Sequence, residues 1–340
     1  MTRGVKRIGL LGAGTVGTAF AGLLGERVRR CEVDAELGNV LVRDTQKVRG
    51  SIPTDKLTSH ADEVLQNADI VVELIGGTDL AGDLMLRALE NGKRVVSANK
   101  AALAERWDEF KPYLEAGTLY FEAAVMAGTP IIGPLTNALR GSRPLEIHAL
   151  LNGTCNYILS EMEVGKDFRT ALSEAQRLGY AEADPTLDIG GFDAAHKLTL
   201  LARLAISPDL SWEEVEARTV GISHLTDAHI TEAMEDGGRV RLVGSVYPKE
   251  GAWRVEVRPA YLSASHPLAG SASNRNGLLF KGDAIGEVLI TGAGAGAEPT
   301  ASAVLADVLS AVAERPGPDL LAQAAALPEN YEVLELGPVG

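Results

Sequence analysis

The densest run of residues able to do acid–base chemistry lies between Glu182 and Lys197, where four carboxylates and one lysine occur within sixteen positions. On a helix, Asp193 and Lys197 share one face because they are four residues apart. An exposed pair of this kind stabilises a helix by about half a kcal/mol or less, but the leucines that follow predict a helix buried on most sides. Burying charged side chains costs free energy, so a buried ion pair suggests a function. A substrate that carries both an ammonium and a carboxylate would need one opposite charge for each end.

A second candidate site is the glycine-rich segment Gly12-Ala13-Gly14-Thr15-Val16-Gly17, which joins a strand-like apolar run to a helical pattern. In this GxGxxG motif the first glycine allows a tight turn, the second lets a pyrophosphate approach the backbone, and the third lets the helix pack on the strand. The N-terminus of the helix supplies amide donors for the phosphates. A glycine-rich turn without a ligand is the alternative, but the position between a strand and a helix favours a dinucleotide site.

The charges after the second predicted strand bear on which dinucleotide binds. An NAD enzyme usually has an acidic residue there, which accepts a hydrogen bond from the ribose 2′-hydroxyl. Here Arg43 precedes Asp44, and Lys47 and Arg49 follow. A guanidinium suits a 2′-phosphate, so we expect NADP with NAD as the alternative, although a solvated loop of mixed charge fits the same residues.

Lys100 follows the fourth predicted strand, within Ser97-Ala98-Asn99-Lys100. Ligands of open α/β sheets bind outside the carboxyl ends of the strands, so this lysine is placed to face a cofactor and a substrate. The alternative is a solvated lysine at the start of a helix, which is disfavoured because a cation there opposes the helix dipole.

The elements that must position these residues differ between the two halves of the chain. The first half alternates short apolar strands with helical patterns, which indicates a parallel, doubly wound α/β sheet. The second half contains a hairpin pattern about Lys249-Glu250-Gly251 and indicates an α+β domain on a mixed or antiparallel sheet. A glycine-rich turn at 291–300 is either a flexible linker or a close approach to the cofactor or the first domain. Predicted strands lie at 6–12, 39–42, 69–75, 94–97, 119–125, 145–151, 240–247, 253–261 and 278–290, and predicted helices at 18–28, 80–91, 101–116, 131–139, 158–164, 168–178 and 301–314.

Composition and charge exclude several classes of protein. Lys plus Arg is 32 and Asp plus Glu is 46, and a net charge of −14 without a basic run argues against a nucleic-acid partner. Cys31 and Cys155 are too few for a disulfide scaffold or a CxxC-type zinc site, and no apolar run approaches the roughly 20 residues that cross a bilayer. The N-terminus shows no signal-peptide pattern, so we expect a cytoplasmic enzyme that acts on a small molecule.

Together these motifs resemble homoserine dehydrogenase in its short form, from about Lys6 to about Ala313. Besides the glycine-rich segment, the motifs that carry the resemblance are Val96–Lys100, Asn152–Thr154, Gly179–Pro185 and Asp193–Lys197. The family implies a homodimer formed through the sheet of its catalytic domain. The domains it implies are a Rossmann-like nucleotide-binding domain at 1–130, a catalytic and dimerisation domain at 131–290, and a C-terminal segment at 291–340 that returns to the nucleotide-binding domain.

The family reaction is the reversible reduction of L-aspartate 4-semialdehyde by NAD(P)H to L-homoserine, in threonine, methionine and isoleucine biosynthesis. By resemblance, Lys197 donates a proton to the oxygen that gains negative charge as hydride arrives at the aldehyde carbon, and Lys100 lies where cofactor and substrate meet. The residues implied for the substrate are Glu182, Asp193, Asp188 and Thr154. Those implied for the cofactor are Gly12, Ala13, Gly14, Thr15, Val16, Gly17, Arg43, Gly76, Ser97, Lys100 and Gly296.

The family also implies a structural monovalent cation, Na⁺ or K⁺, bound mostly by backbone carbonyls. The matching positions are Glu122, Val125, Ala127 and Thr129. Longer members carry a C-terminal regulatory domain, and only 26 residues follow Glu314. We therefore expect no inhibition by threonine through such a domain.

Two alternative functions are disfavoured. An aspartate-semialdehyde dehydrogenase would use Cys155 as its nucleophile, with His148 or His196 as the base. That chemistry leaves the Glu182–Lys197 cluster unused, and a small buried cysteine is common. A non-catalytic nucleotide-binding sensor would keep the glycine-rich segment without needing the two lysines. The remaining histidines, His266 among them, have no partners at metal-ligand spacing and are expected on the surface or in loops.

Overall fold

The chain divides into two compact units in a computed structural model that describes residues 4–50, 52–270, 275–328, 331–334 and 336–339. The first unit is Met1–Thr136 with Ala295–Leu320, and the second is Asn137–Gly294 with Leu321–Gly340. The sequence predicts that the whole segment 291–340 belongs to the first unit, but in the structure only Ala295–Leu320 does. Its last part belongs to the second unit, where the Trp253 indole donates to the Ala325 carbonyl at 2.9 Å.

The strands within the described residues are β1 (Lys6–Leu11), β2 (Ala35–Leu41), β3 (Leu57–Thr58), β4 (Ile70–Glu73), β5 (Arg94–Ser97), β6 (Leu119–Tyr120), β7 (Pro144–Leu150), β8 (Arg239–Lys249), β9 (Ala252–Leu262), β10 (Arg275–Gly282), β11 (Gly286–Ala293) and β12 (Gly337–Pro338). The helices are α1 (Thr15–Arg29), α2 (Ala61–Asn67), α3 (Asp79–Glu90), α4 (Lys100–Glu105), α5 (Trp107–Glu115), α6 (Ala123–Met126), α7 (Ile132–Thr136), α8 (Gly153–Glu163), α9 (Phe168–Arg177), α10 (Thr186–Ile189), α11 (Phe192–Ala205), α12 (Trp212–Glu216), α13 (Asp227–Glu235) and α14 (Ala297–Val312). None of these helices combines the length and the apolar character needed to cross a membrane.

The first unit is a parallel sheet in the order β3-β2-β1-β4-β5-β6. Its central strands are apolar and buried, as expected for a parallel sheet covered by helices. The strand order reverses between β1 and β4, and ligands of such sheets bind at the carboxyl ends of the strands near that point. The glycine-rich segment follows β1 and Ser97 ends β5, so the doubly wound α/β prediction is confirmed and these residues lie at that edge.

The second unit is built on a sheet in the order β11-β10-β7-β8-β9-β12. Its neighbouring strands pair antiparallel, and an isolated parallel bridge joins Thr219 to Val257. The α+β prediction is confirmed, and its hairpin is β8 and β9, joined through Glu250 and Gly251 at positive φ. Helix α11 packs on both strands of this hairpin and is buried over most of its length, as its leucines predict.

Two predicted elements are divided in the structure. The helix predicted at 101–116 is α4 and α5, which meet at Arg106, where φ of −108° and ψ of 31° leave the helical range. The Arg106 guanidinium donates to the Thr78 carbonyl at 3.0 Å. The strand predicted at 278–290 is β10 and β11. Gly286 follows the turn between them with a φ of +74°, a conformation that favours glycine.

Candidate active site

Asn152 joins β7 to α8 and organises the candidate site of the second unit. Its Oδ1 accepts a hydrogen bond from the Cys155 amide at 2.7 Å, which caps α8, so this helix begins at Gly153 rather than at the predicted 158. Its Nδ2 donates to Asp188 Oδ1 at 2.7 Å and to Asp193 Oδ2 at 2.9 Å. The sequence does not single out Asn152 as a site residue, although an asparagine directly before a helix is a capping signal.

Lys197, on α11, lies within the same cluster. Its Nζ donates to the Leu151 carbonyl and to Asp193 Oδ2, both at 2.7 Å. The Asp193–Lys197 pair expected from helical spacing is therefore formed, and the two side chains are only 14% and 10% exposed. Asn152 also bonds Asp188, so one side-chain amide holds both carboxylates. Carboxylates held side by side in this way suit the ammonium of a substrate.

Thr154 and Glu182 are related through the loop that follows α9. Thr154 is buried, and its hydroxyl donates to the Tyr180 carbonyl at 2.7 Å, which ties this loop to the start of α8. Glu182 is exposed, and its backbone carbonyl accepts from Gln176 Nε2 at 3.0 Å. Among the residues that the structure describes, the Glu182 carboxylate makes no hydrogen bond to the Lys197 cluster. The structure thus brings Asp188 and Asp193 together with Lys197, but not Glu182.

Cys155 lies beside the cluster as a buried thiol. Its Sγ donates to the Asp188 carbonyl at 3.2 Å. Burial raises the pKa of the Cys155 thiol, and the nearby carboxylates raise it further. The two histidines proposed as bases have other partners: His148 bonds a serine of β8, and His196 stacks on Trp212. This environment disfavours a thiolate nucleophile and with it the aspartate-semialdehyde dehydrogenase alternative.

A second buried polar cluster surrounds Glu146 on β7. The Glu146 carboxylate is fully buried, lies 3.3 Å from His148 Nε2, and accepts from Lys281 Nζ at 2.8 Å and from the Tyr331 hydroxyl at 2.9 Å. Burial opposes ionisation, but the nearby His148 ring and the Lys281 ammonium outweigh it and lower the pKa of Glu146 to about 2. His266 lies in a loop, as expected, but it is buried against His148, and burial lowers its pKa to about 4.

In the first unit, the glycines after β1 have the conformations that the motif requires. Gly12 has a φ of +99°, and a Cβ there would lie 2.8 Å from the Leu74 carbonyl oxygen. A Cβ on Gly17 would lie 2.2 Å from the Gly12 carbonyl oxygen, so only glycine lets α1 pack against the turn. A Cβ on Gly14 would meet nothing within 4 Å. Because Gly14 immediately precedes α1, this open space fits a pyrophosphate at a helix N-terminus.

Other expected cofactor residues follow neighbouring strands of the same sheet. Gly76 follows β4 with a φ of +80°, and open space surrounds its Cβ position. Ser97 ends β5, and the Asn99 side chain caps α4, so that Lys100 is the first residue of that helix. Gly296, with a φ of +118°, immediately precedes α14, which packs on α1 and begins earlier than the predicted 301.

Arg43 lies just beyond β2 and is exposed. It makes no ion pair within the described part of the chain. Arg49 instead donates to the carbonyls of Asp44 and Lys47, at 2.6 and 2.8 Å. Arg49 therefore shapes this loop, while the charge of Arg43 faces solvent, where a 2′-phosphate can reach it.

The strand predicted at 119–125, where the segment expected to bind a cation begins, is shorter in the structure. The strand ends at Tyr120, because the Glu122 amide donates to Asp307 Oδ2 at 2.8 Å and the chain turns into α6. The Glu122 carboxylate accepts from the three amides of residues 131–133, at 2.6 to 2.8 Å. Its oxygens therefore hold the start of α7.

A monovalent cation would depend on backbone oxygens in this segment. Ala127 has a φ of +49°, which is strained for a residue with a Cβ. Val125 and Thr129 flank this turn. The Thr129 amide donates to the Met126 carbonyl at 2.9 Å and closes it. Carbonyl oxygens suit a hard cation, and no group of three or more His, Cys, Asp or Glu side chains in the described ranges is arranged for a metal.

Two family models and many solved structures match the chain. Residues 12–117 match the NAD binding domain of homoserine dehydrogenase, and residues 130–309 match the homoserine dehydrogenase domain. A homoserine dehydrogenase of Pseudomonas aeruginosa is 41% identical over 317 residues, which cover 90% of this chain and 72% of that protein. The crystal structure of a homoserine dehydrogenase from Thiobacillus denitrificans is 39% identical with a TM-score of 0.85, covering 95% of this chain and 79% of that one. A hyperthermophilic archaeal homoserine dehydrogenase in complex with NADPH is 28% identical with a TM-score of 0.77, covering 92% and 99%.

Proposed function

The chain belongs to the homoserine dehydrogenase family of NAD(P)-dependent oxidoreductases. From that premise we propose which residues bind the substrate and the cofactor and which residue transfers the proton. The reaction interconverts L-aspartate 4-semialdehyde and L-homoserine. One observation carries the proposal: the buried ammonium of Lys197 is held by the Leu151 carbonyl and by Asp193. This arrangement suits a substrate whose oxygen changes between a carbonyl and an alcohol.

Lys197 is the proton donor in the direction of aldehyde reduction. When bound, the reduced nicotinamide supplies a hydride to the aldehyde carbon. Negative charge then develops on the substrate oxygen, and the Lys197 ammonium stabilises that oxygen and protonates it. The bonds to Leu151 and Asp193 fix Nζ before the substrate arrives, which lowers the entropic cost of the step.

Asp188 and Asp193 bind the substrate ammonium. Asn152 holds the two carboxylates side by side, and a carboxylate forms a strong charge-assisted hydrogen bond with an ammonium. Glu182, on the loop that Thr154 ties down, reaches the same ammonium when the substrate binds. Both assignments also have the support of the family resemblance.

The cofactor is NADPH, with NADH as the alternative. The open space at Gly14 receives the pyrophosphate, and Arg43 binds the 2′-phosphate. A related archaeal structure is a complex with NADPH, which supports this preference. The other residues assigned to the cofactor are Gly12, Ala13, Thr15, Val16, Gly17, Gly76, Ser97, Lys100 and Gly296.

The resemblance supports three further features of the proposal. A structural Na⁺ or K⁺ is held by the main chain between Val125 and Thr129, with Glu122 ordering the segment. The enzyme is a cytoplasmic homodimer, and it serves threonine, methionine and isoleucine biosynthesis. Ultracentrifugation tests the dimer, and a melting temperature that rises with one monovalent cation over the others tests the ion.

The decisive experiment follows nicotinamide absorbance with homoserine and either NADP⁺ or NAD⁺ at alkaline pH. We expect homoserine-dependent reduction, faster with NADP⁺, and unchanged activity in Cys155→Ala. No reduction with either cofactor would refute the proposed function. Activity lost in Cys155→Ala but retained in Lys197→Ala would favour the thiol-dependent alternative.

A further inference from the structure

Glu73 is a buried carboxylate at the edge of the first-unit sheet where the expected cofactor residues lie. It ends β4 and is 0% exposed. Within the ranges that the structure describes, it forms no ion pair with a Lys, Arg or His side chain. Burying a carboxylate is costly unless its oxygens are hydrogen-bonded, so its bonds indicate what it does.

The Glu73 carboxylate joins two loops at that edge. Oε1 accepts from the amides of Ile75 and Gly76, at 2.7 and 2.8 Å. Oε2 accepts from the Ser97 hydroxyl at 2.7 Å. One buried side chain therefore connects the loop after β4 to the end of β5.

The loop after β4 is held at further points. Gly76 and Gly77 have φ values of +80° and +82°, and a Cβ at either would meet nothing within 4 Å. The Gly77 carbonyl accepts from Asn99 Nδ2 at 2.7 Å, and the Thr78 carbonyl accepts from Arg106 at 3.0 Å. The loop thus presents a fixed main chain to open space.

The second connection leads to the start of α4. The Ser97 Oγ that donates to Glu73 also accepts from the Asn99 amide at 2.9 Å. The Asn99 side chain in turn accepts from the Ala102 amide at 3.1 Å and caps α4, whose first residue is Lys100. A continuous chain of hydrogen bonds therefore runs from Gly76 through Glu73 and Ser97 to the helix that carries Lys100.

We propose that Glu73 is a positioning residue that sets the Gly76–Gly77 loop and the start of α4 in one arrangement for the bound nicotinamide cofactor. This inference rests on the proposed function, because it takes the open space at this loop as the cofactor site. Glu73 acts through main-chain amides and Ser97 and does not touch the reacting atoms. Its loss should loosen the geometry of hydride transfer more than it weakens binding of the cofactor.

The test uses Glu73→Gln and Ser97→Ala in the full chain, with Glu90→Gln as a matched control at the exposed end of α3. Glutamine keeps an oxygen for the amides of Ile75 and Gly76 but turns an NH₂ donor toward Ser97. The Ser97 hydroxyl then loses its acceptor, and the bond between the two side chains can form only in the reverse direction. We expect kcat to fall about tenfold to 100-fold in both variants, as for a small misplacement of reacting groups. We expect the Kd of NADPH, measured by calorimetry without substrate, to rise about threefold, a change worth less than 1 kcal/mol.

The double variant distinguishes positioning from simple damage. If Glu73 acts through Ser97, the effects of the two substitutions on kcat should not add. Unchanged kcat, KM and Kd in both variants, with only a lower melting temperature, would overturn the inference. If Glu73→Gln does not fold, Glu73→Asp, which keeps the charge but shortens the reach to Ser97, replaces it. A wild-type protein that binds NADPH without oxidising homoserine would refute the proposed function, whereas weaker NADPH binding in Glu73→Gln would still support the positioning role.

Discussion

The two units build their candidate sites by different means. In the first unit the candidate cofactor residues include several glycines, such as Gly12, and these residues follow the ends of neighbouring strands. In the second unit charged side chains form the site, and their partners are distant in sequence: Lys197 bonds Leu151, 46 positions away, and Asn152 bonds Asp188, 36 positions away. A main-chain site is sensitive to an added Cβ, whereas a side-chain site is sensitive to a change of charge.

Replacing Lys197 should break the second site most severely. Lys197→Met keeps the length of the side chain and removes the ammonium, so we expect kcat to fall about 10²- to 10⁴-fold, the usual contribution of a positioned proton donor. NADPH affinity should not change, because the glycine-rich segment is intact. Steady-state kinetics and calorimetry test this, with Lys249→Met in the exposed hairpin turn as the control. Wild-type kcat in Lys197→Met would exclude this lysine as the proton donor.

Asp188→Asn tests whether the charge of the Asp188 carboxylate binds the substrate ammonium. The amide is almost isosteric and can still bond Asn152, but the cluster loses one charge. We expect the KM of homoserine to rise about tenfold to 100-fold, as for a lost hydrogen bond between charged groups, with a smaller change in kcat. Asp184→Asn removes the same charge from an exposed residue of the preceding loop and should have little effect. Equal effects of the two substitutions would mean that overall charge, and not the cluster, attracts the substrate.

The first site should respond to added methyl groups according to the space available. Gly17→Ala places a Cβ 2.2 Å from a carbonyl oxygen, so it should destabilise the first unit by about 1–3 kcal/mol. Gly14→Ala has open space and should leave stability unchanged, yet weaken NADPH binding about tenfold by obstructing the pyrophosphate. Thermal melts and calorimetric titrations separate the two effects. Unaltered NADPH affinity in folded Gly14→Ala would place the pyrophosphate elsewhere.

The difference between the units also explains what the sequence could predict. The glycine motif and the Asp193–Lys197 pair depend on spacing over a few residues, so periodicity and motif geometry were sufficient for them. Asn152 and Glu73 have roles that depend on partners brought close only by folding, and no local pattern marks an acid at the end of a strand as a link between loops. The burial of His266 has the same origin, because a loop histidine becomes buried only when the sheet packs beneath it.

Arg43→Ala tests the expected charged contact with the 2′-phosphate. We expect the preference for NADP⁺ over NAD⁺, expressed as the ratio of kcat/KM values, to fall about tenfold through the loss of a charged hydrogen bond to the 2′-phosphate. Arg29→Ala, at the exposed end of α1, matches the change in net charge and should not alter the ratio. If Arg43→Ala keeps the wild-type ratio, the preference has another source, such as Lys47.

The smallest expected effect concerns acid stability, where the second unit should be the more sensitive. Glu146, with its pKa lowered to about 2, stabilises the fold above its ordinary pKa of 4.5, and this contribution is lost as the pH falls toward 2. His266 has its pKa lowered from 6.5 to about 4, so the unfolded chain binds more protons between those values and stability falls as the pH drops through that window. Calorimetry at pH 7, 5.5 and 4.5 should therefore show a melting temperature that falls by several degrees. His266→Gln should flatten this fall, whereas His224→Gln, at an exposed position of the same unit, should not. An equally steep fall in His266→Gln would assign the acid sensitivity to other groups.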